Sequence, residues 1–250
     1  RATLEEVMDV DQWMRTMAAR SLIMDHDGFG TTTCRHNNNF MVYQRPDEKF
    51  IAILWDIDAS FGQPLVPVTN PLYPNAGQNI TKVIQRPQNL RLFYGHMQDM
   101  INTTWNTAYM HPWMSHYGAK AGQSSAFLTN VSKITQRSNH VMGLMPAQIA
   151  FAATGSNPLS VGSSPTATLE GTAWFNVREV RLSGSETPLD VTWKPSGGSN
   201  WANLWEVTIP VTQGTRPYTF EAFDFQGALL GTTTLQINST TTNPVVESLR

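Results

Sequence analysis

Cysteine is nearly missing from this chain of 250 residues: Cys34 stands alone, which rules out an intrachain disulfide and any zinc site built on several thiolates. The fold therefore rests on its hydrophobic cores. Strong charge of either sign is missing too, since 17 basic and 19 acidic residues give a formal net charge of -2 and a pI near 6.3. Without a basic field to neutralise phosphates, nucleic acid is not an expected partner. No run of about 18 apolar residues occurs, so no membrane span is expected. The chain opens on charged helical sequence at Arg1 and stops at Arg250 with no stop-like tail, and it reads as a piece of something longer.

What is present is unevenly placed. All 11 methionines and all 6 histidines lie at or before Met145, and the remainder is rich in Ser, Thr and Gly with scattered Trp. Between Ala153 and Pro165 the Gly, Pro and Ser content favours turns, so a linker is expected at 153–165. The first domain then covers 1–152, a second covers 166–240, and 241–250 reads as a further linker.

In the first half, Thr3 with Glu6 forms a capping-box pattern, and Asp11 is a candidate cap for a second helix carrying Trp13, Met14, Met17, Ala18 and Leu22. That helix delivers the chain to Asp25-His26-Asp27-Gly28-Phe29-Gly30, a loop by composition. Phe40–Tyr43 and Phe50–Trp55 read as two strands around the turn Arg45-Pro46-Asp47-Glu48. From Asn89 to Met145 the spacing is mostly helical, with interruptions expected at Pro112, Gly118 and Gly122. The second half shows short, regularly spaced strand patterns, the signature of an all-β sandwich.

Of the 19 acids, 10 lie at or before Asp58, and Asp25, Asp27, Asp56 and Asp58 fall at loop or strand ends. From Ala59 to Ala150 the only acid is Asp99, against Lys82, Arg86, Arg91, Lys120, Lys133 and Arg137. Bound metal and phosphate together satisfy such a division. Phosphoryl transfer needs carboxylates and an amide oxygen for hard Mg²⁺ ions, and another carboxylate to orient the attacking hydroxyl. Helix, Asp27, the run Asn37-Asn38-Asn39, a strand pair, then Asp56 with Phe61-Gly62 is the order in which those parts arrive in protein kinases.

Three motifs carry a closer likeness: Asp25-His26-Asp27, His36-Asn37-Asn38-Asn39-Phe40-Met41-Val42-Tyr43 and Trp55-Asp56-Ile57-Asp58-Ala59-Ser60-Phe61-Gly62. On these residues the chain resembles the CotH kinase family over roughly residues 4–145. The resemblance implies an α+β fold, with an atypical protein-kinase-like catalytic lobe, mostly helical with a short strand pair, ahead of the Ig-like sandwich. It implies Asp27 as the catalytic carboxylate, Asn39 and Asn37 as contacts to metal or phosphate, and Asp56 and Asp58 as metal ligands. The implied cofactors are Mg²⁺ or Mn²⁺ and ATP, and the implied substrate is an envelope or coat protein, which places the chain at the cell surface or outside it. Two departures accompany it: position 25 is Asp where the family commonly has Asn, which adds negative charge beside Asp27, and the ATP-facing lobe is expected upstream of Arg1.

Other residues read more plainly. His26 and His36 lack the spacing of a zinc site and are taken as structural, and Cys34 has no acid-base partner nearby in sequence. The methionines fill core gaps. Trp174, Trp193, Trp201 and Trp205 are candidates for a glycan-stacking platform, with core packing the commoner role for such residues. The rival to a kinase-like enzyme is a non-catalytic surface or structural protein with a degenerate kinase-like domain and an adhesive sandwich.

Overall fold

In a computed structural model of the protein the described residues are 3–29, 39–61, 66–73 and 79–242. The chain divides into two compact units, Arg1–Pro146, which holds the described helices and a two-stranded sheet, and Ala147–Arg250, whose described elements are all strands.

The first unit begins with a single turn, α1 (Leu4–Val7), where the Glu6 carboxylate accepts from the Thr3 N–H at 2.7 Å. Helix α2 (Val10–Leu22) follows. Its cap is Asp9, which accepts from the Gln12 N–H at 3.1 Å, and not Asp11, whose carboxylate instead meets His96 Nε2 at 2.9 Å. Spacing alone could not separate two aspartates one turn-half apart. Val10, Trp13, Met14, Met17, Ala18 and Leu22 are buried, as their helical periodicity requires.

Strands β1 (Met41–Gln44) and β2 (Phe50–Ile53) form an antiparallel hairpin with Met41 opposite Ile53. Side chains of α2 close the outer edge of β2. The Gln12 amide both donates to the Ala52 carbonyl and accepts from the Ala52 N–H, and Trp13 Nε1 donates to the Phe50 carbonyl at 2.9 Å. A glutamine thus pairs with the strand as a neighbouring strand would.

Helices α3 (Asn79–Ile84), α4 (Pro87–Thr103), α5 (Thr107–Lys120) and α6 (Ser124–Leu144) complete the unit. The unforeseen break falls at 104–106, where Asn106 caps α5 by accepting from the Tyr109 N–H. Of the expected interruptions only Gly122, at φ 64°, ends a helix. Pro112 and Gly118 lie inside α5, and Gly118 serves a close approach: a Cβ there would stand 2.9 Å from Phe127 Cβ on α6. Among the described residues, no helix is long and apolar enough to cross a membrane.

The described residues of the second unit form eight strands: β3 (Ala152–Thr154), β4 (Leu159–Gly162), β5 (Thr166–Thr172), β6 (Glu179–Leu182), β7 (Thr192–Pro195), β8 (Ala202–Pro210), β9 (Gly214–Phe223) and β10 (Leu229–Ser239). They form two four-stranded sheets, ordered β3-β5-β8-β7 and β4-β10-β9-β6, with β4 parallel to β10. Alternate residues of both sheets, among them Leu169, Val180, Trp205, Val207, Phe220 and Ile237, share one apolar core. The stretch read as a linker, 153–165, holds β4 and most of β3. Its Gly and Pro residues turn the chain between two short edge strands. Of the expected tail linker, residues 243–250 lie outside the described set.

The tryptophans of this unit pack inward, two of them on this core. Trp205 is fully buried against Phe151 and Phe220, Trp174 and Trp201 are buried around Phe175, and Trp193 packs half-buried on the same core. Three of the four indoles are buried, which agrees with the commoner, core-packing reading of these residues. Gly171 lies against Trp205 and the Ala152 carbonyl, with no room for a Cβ. Gly171→Ala is therefore expected to destabilise the sandwich by about 1–3 kcal/mol through overpacking. Scanning calorimetry reads it as a lowered sandwich transition, and an unmoved transition contradicts the packing described.

Candidate functional site

A buried ion pair organises the site. Arg20 sits in the last turn of α2, 3 % exposed, and pairs with Asp25, 2 % exposed, just past the helix end. The chain reaches that position because Met24 adopts a left-handed φ of 54° and reverses direction after Leu22. Two charges withdrawn from water need every donor and acceptor engaged. Arg20 meets this with Nη2, which donates to the carbonyls of Asn39 at 2.9 Å and Trp55 at 3.1 Å. Asp25 meets it by accepting from the Asp27 N–H at 3.2 Å and from the Gly28 backbone. A Cβ at position 28 would collide with both partners, so Gly28 is glycine for space.

One guanidinium thus joins three parts of the chain that the sequence offered as separate motifs. Asn39, at φ 52°, turns its Nδ2 to Asp27, donating to its carbonyl and to Oδ2, both at 3.2 Å. With Nδ2 so engaged, the amide's other polar atom is its carbonyl oxygen, an acceptor. On the other side, the His26 backbone N–H donates to the Ala59 carbonyl at 3.2 Å, and His26 Nδ1 meets the same oxygen at 2.8 Å. Since a carbonyl only accepts, Nδ1 carries the proton. The Phe61 N–H donates to the Ile23 carbonyl at 2.7 Å. The loop after α2 and the segment after β2 are therefore laced together along their length.

Each expected site residue has a definite place, with one exception. Asp27 and Asn39 are brought into direct contact. Asp56 follows directly on the Trp55 carbonyl held by Arg20, and both Asp56 and Asp58 are exposed. Asn37 lies outside the described residues, as do His36 and Cys34. Asp25, expected to load negative charge beside Asp27, is instead matched by Arg20 and orders the Asp27 backbone. Arg20 carries no signal in the sequence, because nothing marks one arginine on a helix as a partner for carbonyls 19 and 35 residues away.

Among the described residues no three Asp, Glu, His or Cys side chains converge as a ready-made metal cage. The donors available are the carboxylates of Asp56 and Asp58 and the amide oxygen of Asn39, all hard oxygens. Such a set fits Mg²⁺, which takes one or two carboxylates and fills its octahedron with water and phosphate oxygens. It does not fit zinc.

Burial is the largest influence on Asp25 and moves its carboxyl above the ordinary value of 3.8, while Arg20 and the N–H groups of Asp27 and Gly28 pull it back only in part. The folded chain then holds a proton at Asp25 over a window where the unfolded chain has lost it. Stability must fall as pH rises through that window, starting near 3.8. Urea unfolding of wild type and Asp25→Asn across acidic pH is expected to show wild type losing stability relative to the variant as pH rises. A relative gain would mean that the arginine outweighs burial.

Residues 1–140 match the family model described as CotH kinase protein. No curated protein matches the chain. Among solved structures, the fibronectin(III)-like modules of Clostridium thermocellum CbhA match at 12% identity over 36% of this chain and 98% of theirs, with a TM-score of 0.25. The twitchin kinase region from C. elegans matches at 16% identity over 36% of this chain and 15% of its own, with a TM-score of 0.24. The endo-beta-1,4-mannanase from Thermotoga petrophila matches at 7% identity over 45% and 24% of the two chains, with a TM-score of 0.27. Scores this low carry no inference about fold.

Proposed function

This chain belongs to the CotH kinase protein family, and we propose that its first unit is the catalytic-loop and metal-binding part of an atypical protein kinase. It moves the γ-phosphoryl group of ATP to a protein hydroxyl with Mg²⁺ or Mn²⁺ as the metal. The observation that supports this reading is the Arg20 node, whose Nη2 binds the carbonyls of Asn39, which touches Asp27, and of Trp55, the residue before Asp56. Two unrelated loops have no reason to have their backbone carbonyls held by one buried cation.

In the proposed reaction the substrate hydroxyl attacks the γ-phosphorus, the bond to the bridging oxygen breaks, and ADP leaves. Asp27 takes the hydroxyl proton, oriented for that task by the Asn39 amide and by the Asp27 N–H bond to Asp25. Asp56 and Asp58 would hold Mg²⁺, which when bound would neutralise charge on the transferring group. Asn39 contributes its amide oxygen to the metal or a phosphate.

The second unit is read as an immunoglobulin-like sandwich. Its two four-stranded sheets, ordered β3-β5-β8-β7 and β4-β10-β9-β6, support that reading. Such modules decorate surface proteins, so the phosphoacceptor is placed at the envelope or coat, by analogy of fold and family.

Calorimetric titration of the full chain with ATP in Mg²⁺ tests the metal site. Asp56→Asn is expected to weaken binding by more than about tenfold, the cost of disturbing even an outer-shell partner of a metal. Equal affinities would remove Asp56 as a ligand.

A further inference from the structure

The segment that presents Asp56 and Asp58 is held in an unusual shape. Its first and last residues, Asp56 and Phe61, both have left-handed backbones, at φ 50° and 60°. For residues other than glycine each such conformation costs on the order of 1–3 kcal/mol and persists only where the surroundings impose it. At the Asp56 end the imposing group is Arg20, through the Trp55 carbonyl. At the Phe61 end it comes from far along the chain.

Lys133, on α6, donates from Nζ to the Phe61 carbonyl at 2.7 Å. The Phe61 ring lies against Trp105, with centroids 5.6 Å apart and planes at 23°. Trp105 is 6 % exposed, so it offers a fixed plate and not a mobile neighbour. The Phe61 N–H is already committed to the Ile23 carbonyl. Peptide, carbonyl and ring of one residue are therefore each fixed by a different element. The charge pattern favours this use of Lys133: the sequence has no Asp or Glu between Asp99 and Glu170, so no neighbouring carboxylate along α6 competes for the ammonium. A half-buried ammonium bound to a carbonyl is a strong, charge-assisted contact.

We propose that Lys133 is a positioning residue for the metal-binding segment: with Trp105 it holds Phe61 left-handed, and thereby sets where Asp56 and Asp58 present their carboxylates. The segment is a bracket pinned by a cation at each end, Arg20 from α2 and Lys133 from α6. The part of the proposal that concerns metal rests on the kinase reading above. The part that concerns the segment's shape does not.

The test uses the full chain as wild type, Lys133→Met, Lys133→Arg and Asp56→Asn. Hydrogen exchange of the peptide covering 55–61 reads the bracket directly, and electron paramagnetic resonance titration with Mn²⁺ alone reads the site. Lys133→Met is expected to lose protection in that peptide while peptides from β5 and β8 keep theirs, and to bind Mn²⁺ about 10- to 100-fold more weakly. Lys133→Arg, which keeps a cationic donor, is expected to retain both. Unchanged exchange in Lys133→Met overturns the proposal. So does unchanged Mn²⁺ affinity in Lys133→Met where Asp56→Asn abolishes binding. If exchange responds to Lys133→Met but Mn²⁺ binding ignores Asp56→Asn, the metal reading falls and Lys133 stands as the holder of the segment.

Discussion

Arg20→Met is expected to destabilise the first unit by about 3–5 kcal/mol, the usual cost of leaving one member of a buried ion pair without the other. In scanning calorimetry that corresponds to a fall of about 10 °C in the transition of a unit this size. The second unit has its own core, so its transition should not move. The damage has two sources. Asp25 is stranded at 2 % exposure, and the carbonyls of Asn39 and Trp55 lose their donor. A double variant, Arg20→Met with Asp25→Leu, separates them. Replacing both charges with apolar groups of similar volume is often neutral for stability. The double variant is therefore expected to recover most of the lost stability and none of the Mg²⁺-dependent ATP binding, since nothing ties Asn39 to Trp55. Recovery of both would show that the pair matters only as charge balance.

Asp27→Asn is expected to lower the rate of phosphoryl transfer by about 10²–10⁴-fold, the contribution of a positioned general base, while leaving Mg²⁺-ATP affinity close to wild type. The asparagine side chain fills the same space and can still accept from Asn39 Nδ2, so the loop keeps its geometry. What it loses is a group able to take the hydroxyl proton. A variant that binds ATP and fails to transfer separates base from ligand. One that loses binding instead would place Asp27 among the metal ligands.

Local pattern made much of this legible in the sequence. The hairpin of β1 and β2, the loop after α2 and the Trp55–Phe61 segment are each written in consecutive residues with turn or strand character, and β5 alternates cleanly, as do β8 from Trp205 and β9 from Thr219. Contacts between distant residues were not legible. Arg20 and Lys133 act on backbone carbonyls 35 and 72 residues away, and a carbonyl has no residue identity for a sequence pattern to record. Asp25 carried a charge that looked like a liability until its partner, five residues earlier on the inner face of α2, was located. Gly118 and Pro112 looked like breaks because propensity is a local quantity, whereas α5 is held by its packing on α6. The short strands β3 and β4 hid inside Gly- and Pro-rich sequence for the converse reason: at an edge, three or four residues suffice and turn residues crowd them.

The central claim is that Asp27 and Asp56 form one phosphotransfer site. Its most direct test is transfer of labelled γ-phosphate from ATP to protein hydroxyls, in Mg²⁺, by the full chain as wild type, Asp27→Asn and Asp56→Asn. Labelling by wild type with loss in both variants is the predicted result. Equal labelling in all three, or none in wild type under conditions where it binds Mg²⁺-ATP, would contradict it.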